Sequence, residues 1–565
     1  VNSLSCFHPL TAAWFRERFG EPTEIQARAW PVISAGDNAL IIAPTGCGKT
    51  LAAFLCALDR LIRDDSSRGV TSVLYVSPLK ALNNDVRRNL LAPLGELAAR
   101  FEAAGTPFAP IRVETRSGDT PQADRRRMLR RPPEILITTP ESLNLLLSSH
   151  GGRGLLGGVS CVILDEIHAV LGEKRGTHCI TAVDRLVPLC GEFQRLALSA
   201  TVRPEDEAAA FVAGRILTGP AHAPEYRERP IQIIRSEAEK RYDIRVRFPE
   251  EAADRPQNES LWAPLADAFR ETIARNRTTL FFVNGRRLCE KLAHRINSSD
   301  AGRLVYAHHG SLSREIRASV EEKLKSGELP AVIATNSLEL GIDVGEVDEA
   351  VLIQCPPSVA SAVQRLGRAG HGVGEVSRGT LFPTHGKDFL ESAVLVKAAL
   401  ARDIEETRPV TAPLDVLAQV IVSMALTETW DVDALYARLR TSHPYRDLPR
   451  EHFDLTLAMV SGRYAATRIR ELRPKVIVDA LDNTITAAKG AAMDLYSSGG
   501  VIPNRGYYAM RHAQTGARLG ELDEVFVWEA KVGQAFAFGA QHWKIERITH
   551  NDVLVTPATP HIKDA

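Results

Sequence analysis

Ala43-Pro-Thr-Gly-Cys-Gly-Lys-Thr50 is the stretch on which the fold turns. It lies between an apolar run at 39–42, read as a strand, and a helical stretch at 51–62. A glycine-rich turn joining strand to helix is a phosphate-binding loop. Gly46 and Gly48 allow backbone N–H groups to close around phosphate oxygens, with Thr45 and Cys47 completing the wrap. Lys49 brings a point charge to the β- and γ-phosphates, and the Thr50 hydroxyl is suited to Mg²⁺. The helix N-terminus adds its own positive field. The general motif opens on glycine, where this chain has Ala43.

Working outward, Asp165-Glu166-Ile167-His168 ends a second apolar run. Asp165 is placed to bind Mg²⁺, and Glu166 to orient and deprotonate an attacking water. Two acids after a strand are ordinarily a solvated strand end; the phosphate loop upstream gives them a task. Gln26, in Pro22-Thr-Glu-Ile-Gln26, carries an amide able to donate to and accept from an adenine edge at once.

The apolar runs at 39–42, 72–76, 134–138, 159–164 and 195–198 alternate with helical stretches, a pattern that implies a parallel sheet covered by helices. A second series follows at 279–283, 304–308, 331–334, 350–354 and 378–382, after a polar linker at 249–260. Three helix candidates come next, at 414–427, 433–440 and 451–459. Strand-like runs separated by Gly turns follow at 475–478, 484–487, 507–511, 525–528, 535–538, 543–548 and 553–556. The expected organisation is an α/β domain over 1–235, a second over 236–403, a helical module over 404–472 and a β-rich module over 473–565.

With 565 residues the chain has room for roughly three to five domains of about 100–200 residues each. Its 69 basic and 69 acidic residues cancel, so any nucleic-acid site must be a local groove. Eight cysteines are scattered without CxxC spacing, which argues against a zinc or disulfide framework and for reduced thiols. No run reaches the roughly 20 apolar residues needed to span a bilayer, and the N-terminal segment lacks a signal pattern. The expectation is a cytoplasmic protein with no membrane partner and no metal other than Mg²⁺; the sequence leaves the oligomeric state open.

Further segments complete a set that resembles the superfamily 2 helicase motifs, in order, from about Phe19 to Gly372. They are Ser199-Ala200-Thr201, Ala334-Thr-Asn-Ser-Leu-Glu-Leu-Gly-Ile-Asp343 and Gln364-Arg-Leu-Gly-Arg-Ala-Gly-His371. Ser77-Pro-Leu-Lys-Ala-Leu82, Arg116-Ser-Gly-Asp-Thr120 and Thr138-Thr-Pro-Glu-Ser142 are similar in detail to the Lhr (long helicase-related) family. So are Pro413-Leu-Asp-Val-Leu-Ala-Gln419, Ser461-Gly-Arg-Tyr464 and Ser498-Gly-Gly-Val-Ile-Pro503. The resemblance implies two RecA-like domains, the first binding ATP and the second carrying an arginine finger, then a winged helix at 404–472 and the β-rich module. It implies that Arg368 reaches the γ-phosphate with Arg365 and Gln364 beside it, and that Gly341 and Asp343 face the nucleotide. Ser199 and Thr201 would couple nucleotide state to strand grip. Where the family pattern ends in Arg this chain has His371, and no role is carried onto it.

Sequence-independent grip on a strand needs phosphate contacts from hydroxyls, amides and some cations. Ser77, Pro78, Lys80, Thr139, Pro140, Glu141, Asn284, Arg286 and Thr335 all follow strand ends, where ligands of open α/β sheets gather. Each alone is as readily an ordinary loop residue. The basic run Asp124-Arg-Arg-Arg-Met-Leu-Arg-Arg131 reads as a solvated helix, and Trp528 and Trp543 as core of the β-rich module rather than base-stacking platforms. Gln364 follows Asp343 too closely for a long wedge hairpin, so strand separation would fall to the winged helix or the β-rich module. The resemblance implies a 3′-to-5′ DNA translocase and helicase on single strands and 3′-tailed duplexes or hybrids, in DNA repair. An RNA remodeller on the same motor, or an ATP-gated clamp that binds without stepping, stays open.

Overall fold

The computed structural model describes residues 3–558 apart from 65–67, 79, 221–222, 238–239, 250–260, 298–303, 311, 313, 340, 342–343, 371–374, 464–472, 498–506, 539–540 and 550–551. The expected linker at 249–260 apart from Pro249, the segment 498–503 and Asp343 lie outside these residues, and the Lys80 side chain is likewise not described.

The first sheet is built from β1 (Ala39–Ile42), β2 (Val73–Val76), β3 (Val113–Arg116), β4 (Ile135–Thr138), β5 (Cys161–Leu164) and β6 (Gln194–Ser199). A two-stranded hairpin, β7 (Arg215–Thr218) and β8 (Glu225–Glu228), stands apart, and β9 (Gln232–Arg235) returns to the sheet. The order is β3-β4-β2-β5-β6-β1-β9, with every pairing parallel. Every residue of β1, β2, β4 and β5 is buried, because helices cover both faces. The period of two divides them between two cores. Ile41, Tyr75, Ile137 and Ile163 face one; Leu40, Leu74, Leu136 and Val162 face the other.

The second sheet contains β10 (Arg241–Val246), β11 (Thr279–Val283), β12 (Val305–His308), β13 (Ala331–Ala334), β14 (Glu349–Ile353) and β15 (Val376–Phe382). Its order is β10-β15-β14-β11-β13-β12, again all parallel. Parallel pairing has one functional consequence. The phosphate loop after β1, Ser77 after β2, Thr139 after β4, Asp165 after β5 and the Ser199 end of β6 all emerge on one edge. Because β6 lies between β5 and β1, Ala200-Thr201 is threaded between Asp165-Glu166 and the phosphate loop.

Helices Leu414–Ala425, Val432–Leu439 and Arg450–Val460 form the helical part of the winged helix. Strands β16 (Trp430–Asp431), β17 (Val476–Asp479) and β18 (Thr484–Ala487) form an antiparallel sheet in the order β16-β18-β17. The expected start of the β-rich module at 473 therefore moves. β17 and β18 are the wing; Val476 and Ile485 are buried, and β18 packs on the helix Leu414–Ala425. The winged helix is joined to the first domain by polar contacts, of which those of Ser423 are buried. Arg185 Nη2 donates to Ser423 Oγ at 2.7 Å, and Ser423 Oγ lies 2.6 Å from Ser148 Oγ. Arg153 pairs with Glu428 at 2.8 Å, Lys174 with Asp415 at 2.7 Å and His443 with Glu207 at 3.0 Å.

Residues from 501 onward are a separate compact unit. Its sheet contains β19 (Tyr507–His512), β20 (Arg518–Asp523), β21 (Ala535–Phe538), β22 (Gln541–Ile548) and β23 (Asp552–Pro557), in the order β20-β19-β23-β22-β21. The strand expected at 525–528 is instead the helix Glu524–Glu529. Neighbouring residues Phe526 and Val527 both turn inward, which a strand's alternation forbids. Trp528 is correspondingly 72% exposed, contrary to its reading as core, while Trp543 is buried. No helix among the described residues is long and apolar enough to cross a membrane.

Candidate nucleotide site and strand groove

Gly46 and Gly48 have φ of +84° and +80°, so the phosphate loop uses the left-handed conformations that glycine allows. At Gly48 there is a second reason: a Cβ would lie 2.4 Å from Gln26 Nε2. The Gln26 segment braces the loop. Gln26 Nε2 donates to Gly48 O at 3.3 Å, its Oε1 accepts from Thr23 N at 3.0 Å, and Thr23 Oγ1 donates to Cys47 O at 3.0 Å. One N–H of the Gln26 amide is thus engaged by the loop, and one lone pair by the cap of its own helix. Lys49 is buried and donates to the carbonyls of Ala43 and Pro44 at 2.5 and 2.9 Å. Burial pushes its ammonium pKa down, while Glu166 and Asp165 pull it back.

Both acids are buried. Burial pushes the Asp165 carboxyl up to about 7 and Glu166 adds to this; the Tyr75 hydroxyl, which donates to Asp165 Oδ2, and Lys49 oppose it. Glu166 sits at φ +48°, with its N–H donating to Asp165 Oδ1 at 2.8 Å. A non-glycine residue there is held by its surroundings at a cost of order 1–3 kcal/mol, and such residues cluster at active sites. Glu166 Oε2 lies 3.5 Å from His168 Nε2, and neither atom has a hydrogen-bond partner among the described residues. His168 Nδ1 accepts from Ala200 N at 3.4 Å and lies 3.1 Å from Ser199 Oγ. Burial keeps this imidazole neutral; with Nδ1 accepting, its proton is on Nε2, facing Glu166. The buried carboxylate pair, beside a Lys49 whose hydrogen bonds go to the Ala43 and Pro44 carbonyls, fits a divalent ion, and Asp165 is the residue with most to gain from one.

The second domain closes on this site. Gln364 Nε2 donates to Thr201 Oγ1 at 3.0 Å, and Thr45 Oγ1 to Gly367 O at 3.4 Å. A Cβ at Gly341 would meet Glu166 Oε1 at 2.7 Å, so a side chain there would displace the carboxylate. Arg365 and Arg368 are both buried at this face. Arg365 Nε donates to Glu339 Oε2 at 2.9 Å and its Nη1 to Asn284 Oδ1 at 3.0 Å; Arg368 Nη2 donates to Glu339 O at 2.8 Å.

On the same edge a cleft of about 1150 Å³ runs across both domains. Arg87, Arg88, Arg175, Arg286 and Arg317 supply its cations, and Asp119, Glu321 and Glu339 its acids. Of the residues expected to grip a strand, Pro78, Arg286 and Thr335 line it. Ser77 and Thr139 are buried, and Thr139 Oγ1 caps the helix Pro140–Leu147 by accepting from Ser142 N. Glu141 is held by Arg175, whose Nε donates to its Oε1 at 2.5 Å and whose Nη2 donates to Pro78 O at 2.6 Å. Asn284 uses its amide between Arg365 and Cys355 O.

Three family models match consecutive stretches. They are described as DEAD/DEAH box helicase over 23–209, helicase conserved C-terminal domain over 264–372, and large helicase-related protein, winged helix domain, over 397–564. The Lhr helicase/probable uracil glycosylase of Mycolicibacterium smegmatis is 44% identical over 99% of this chain and 39% of its own length. The ATP-dependent helicase Lhr-Core of Methanothermobacter thermautotrophicus is 38% identical over 98% of this chain and 64% of its own. The structure of Mycobacterium smegmatis helicase Lhr bound to ssDNA and AMP-PNP matches with a TM-score of 0.84 at 43% identity, covering 96% of this chain and 68% of that one.

This chain belongs to the Lhr family. It spans 39% of the length of the first of these relatives and 64% of the second. The winged-helix model of the Lhr family runs through both the winged helix and the β-rich unit, which the sequence reading had separated. Sequence reasoning missed the groove arginines Arg87, Arg88, Arg175 and Arg317 because none follows a strand end. Arg87 and Arg88 lie about two turns into the helix Lys80–Ala103, and Arg175 is in the helix after Asp165-Glu166. The conspicuous basic run is, as expected, a largely solvated helix, Gln122–Arg130; its Arg125 braces the carbonyls of Gly118 and Thr120 at 2.7 Å.

Proposed function

We propose that this chain is an ATP-dependent translocase and helicase that moves 3′ to 5′ along single-stranded DNA and opens duplexes or hybrids carrying a 3′ tail. Cytoplasmic DNA repair is the setting this reading implies. The observation that carries it is the meeting of two domains over one hydrolytic carboxylate. Glu166 is faced by Gly341, and Thr201 beside it is bridged by Gln364, on an edge that also opens to an arginine-lined groove. The Lhr relatives named as helicases, and the one solved with ssDNA and AMP-PNP, support the choice of DNA and ATP.

The loop from Thr45 to Thr50 would wrap the phosphates, with Lys49 exchanging the Ala43 and Pro44 carbonyls for phosphate oxygens. Thr50 and Asp165 would hold Mg²⁺, which supplies charge neutralisation when bound. Glu166 orients the attacking water and takes its proton, with neutral His168 beside it. Arg368 stabilises the charge that develops, an effect worth a factor of roughly 10³ or more. Closure brings Thr335 and Arg286 toward Pro78 and Arg175, and reopening parts them, so alternating grip moves the strand.

Steady-state ATP hydrolysis without nucleic acid, with single-stranded DNA and with single-stranded RNA tests this, with Glu166→Gln as control. Strong stimulation by DNA, abolished in the control, is expected. Stimulation by RNA alone would transfer the assignment to RNA, and rates indifferent to both would overturn a strand-coupled motor.

A further inference from the structure

The helix Val359–Leu366 carries Gln364 and Arg365 and delivers Arg368 to the cleft. Its ends carry backbone groups that the helix itself leaves unsatisfied. At its N-terminus, Val359 N and Ala360 N donate to the two carboxylate oxygens of Glu405 at 2.6 and 3.1 Å. At its C-terminus, the Gly367 carbonyl accepts from Lys240 Nζ at 2.8 Å and from Thr45 Oγ1 at 3.4 Å. An anion at the N-terminus and a cation at the C-terminus is the arrangement the helix dipole favours.

These two residues lie in the two connectors between domains. Lys240 falls between β9, which ends the first sheet at Arg235, and β10, which starts the second at Arg241. Glu405 falls between the helix Gly386–Ala401 of the second domain and the winged helix. The second connector is also pinned to the first domain. Thr407 N donates to Arg203 O at 2.6 Å, and Arg203 Nη1 to Asp403 Oδ1 at 2.6 Å. A cavity of about 130 Å³ lies against the helix, lined in part by Lys240, Tyr242, Val363, Gly367, Arg402 and Ile404. The helix thus has a hold at each end and space beside it.

We propose that Lys240 and Glu405 form a two-ended clamp through which the interdomain connectors seat the Arg368 helix as the cleft closes. Both are positioning residues: they act on the chemistry through Arg368. The clamp rests on the ATPase reading above and adds to it the control of the arginine by the connectors. The charge environment of Lys240 supports the assignment. Burial pushes its ammonium down to about 8; Cys47 opposes the shift, Arg368 and Lys49 deepen it, and Glu375 opposes it. Lys240 is therefore charged below about pH 8, and the hold on Gly367 weakens as pH rises through that value. Arginine at this position stays charged throughout.

The test uses the full chain and four proteins: the parent, Lys240→Ala, Lys240→Arg and Glu405→Gln. Lys240→Ala and Glu405→Gln are expected to lower kcat for ATP by about 10-fold or more, with KM within about threefold. The parent is expected to lose kcat/KM above about pH 8, and Lys240→Arg should restore most of kcat at pH 7 and remove that loss. Nucleotide-free strand binding and the thermal midpoint should stay at parent values. A rise in KM with kcat intact would make Lys240 a nucleotide ligand instead, and unchanged kcat would overturn the clamp. Parallel loss of strand binding and thermal midpoint would reduce both residues to structural roles. ATP hydrolysis in the parent that ignores strands would sink the translocase while the clamp is still read from unstimulated kcat. Binding of ADP with aluminium fluoride, relative to ADP alone, gives the same comparison without turnover: the parent gains affinity, and Lys240→Ala should lose that gain.

Discussion

Replacing Gly341 by alanine should disable hydrolysis while leaving strand binding in place. The added Cβ would sit 2.7 Å from Glu166 Oε1, about 0.7 Å inside an ordinary contact of about 3.4 Å. Leu82 Cδ1, at 3.1 Å, blocks the other direction. Glu166 is itself constrained, by its left-handed backbone and by the contact of its N–H with Asp165. Relief must come from the carboxylate turning away or the second domain backing off, and either displaces the base from its water. A misplacement of about 1 Å costs on the order of 10² in rate, so 0.7 Å should cost roughly 30- to 100-fold, or about 2–3 kcal/mol of barrier. The assay is kcat for ATP with saturating single-stranded DNA, alongside nucleotide-free DNA affinity. The expected result is a kcat loss of that size with affinity within about twofold. A kcat within threefold of the parent would refute the reasoning, because it would mean that Gly341 does not approach Glu166 in the hydrolytic state.

Arg175→Ala should weaken single-stranded DNA binding several-fold and lower the slope of log affinity against log salt by about one, measured by titration at several salt concentrations; an unchanged slope would remove Arg175 from the phosphate track. His178, buried in the helix Lys174–Asp184, has its pKa pushed to about 4 by burial, with Arg185 adding and Glu141 opposing. The unfolded chain therefore binds more protons below about pH 6.5, so stability is complete above that value and declines as pH falls toward 4, by about 2 kcal/mol at pH 5. Urea unfolding of His178→Gln should show a correspondingly smaller loss between pH 7.5 and pH 5, and equal losses in the two proteins would exclude this histidine as the cause.

The central strands were legible in the sequence because burial on both faces makes every residue apolar, as in Ala39-Leu-Ile-Ile42 and Cys161-Val-Ile-Leu164. The edge strands β3, β9 and β10 were missed because one side meets solvent and the sequence turns polar, as in Val113-Glu-Thr-Arg116. The stretch Val525-Phe-Val-Trp528 misled because β-branched and aromatic residues favour strands, whereas the packing of Phe526 against Phe536 drew it into a helical turn. At the site, the residues proposed to wrap the phosphates are contiguous from Thr45 to Thr50, so their pattern was visible in the sequence. The grip on Arg365 by Glu339 and Asn284 was not, since it joins residues from three parts of the chain. The bracing of Pro78 and Glu141 by Arg175 was hidden for the same reason.

The attachment of the winged helix has a mechanical consequence. Its contacts go to the first domain, through Arg185, Arg153, Lys174 and Glu207, and the one made by Arg185 to Ser423 is buried. The first 500 residues then resemble a bench vise: the first domain and winged helix are the fixed jaw, and the second domain is the sliding one. The stroke of such a tool depends on the sliding jaw alone. A duplex arm resting against the winged helix would feel no push from the phosphate loop as the cleft opens and shuts; force would reach it only through the strand drawn past it.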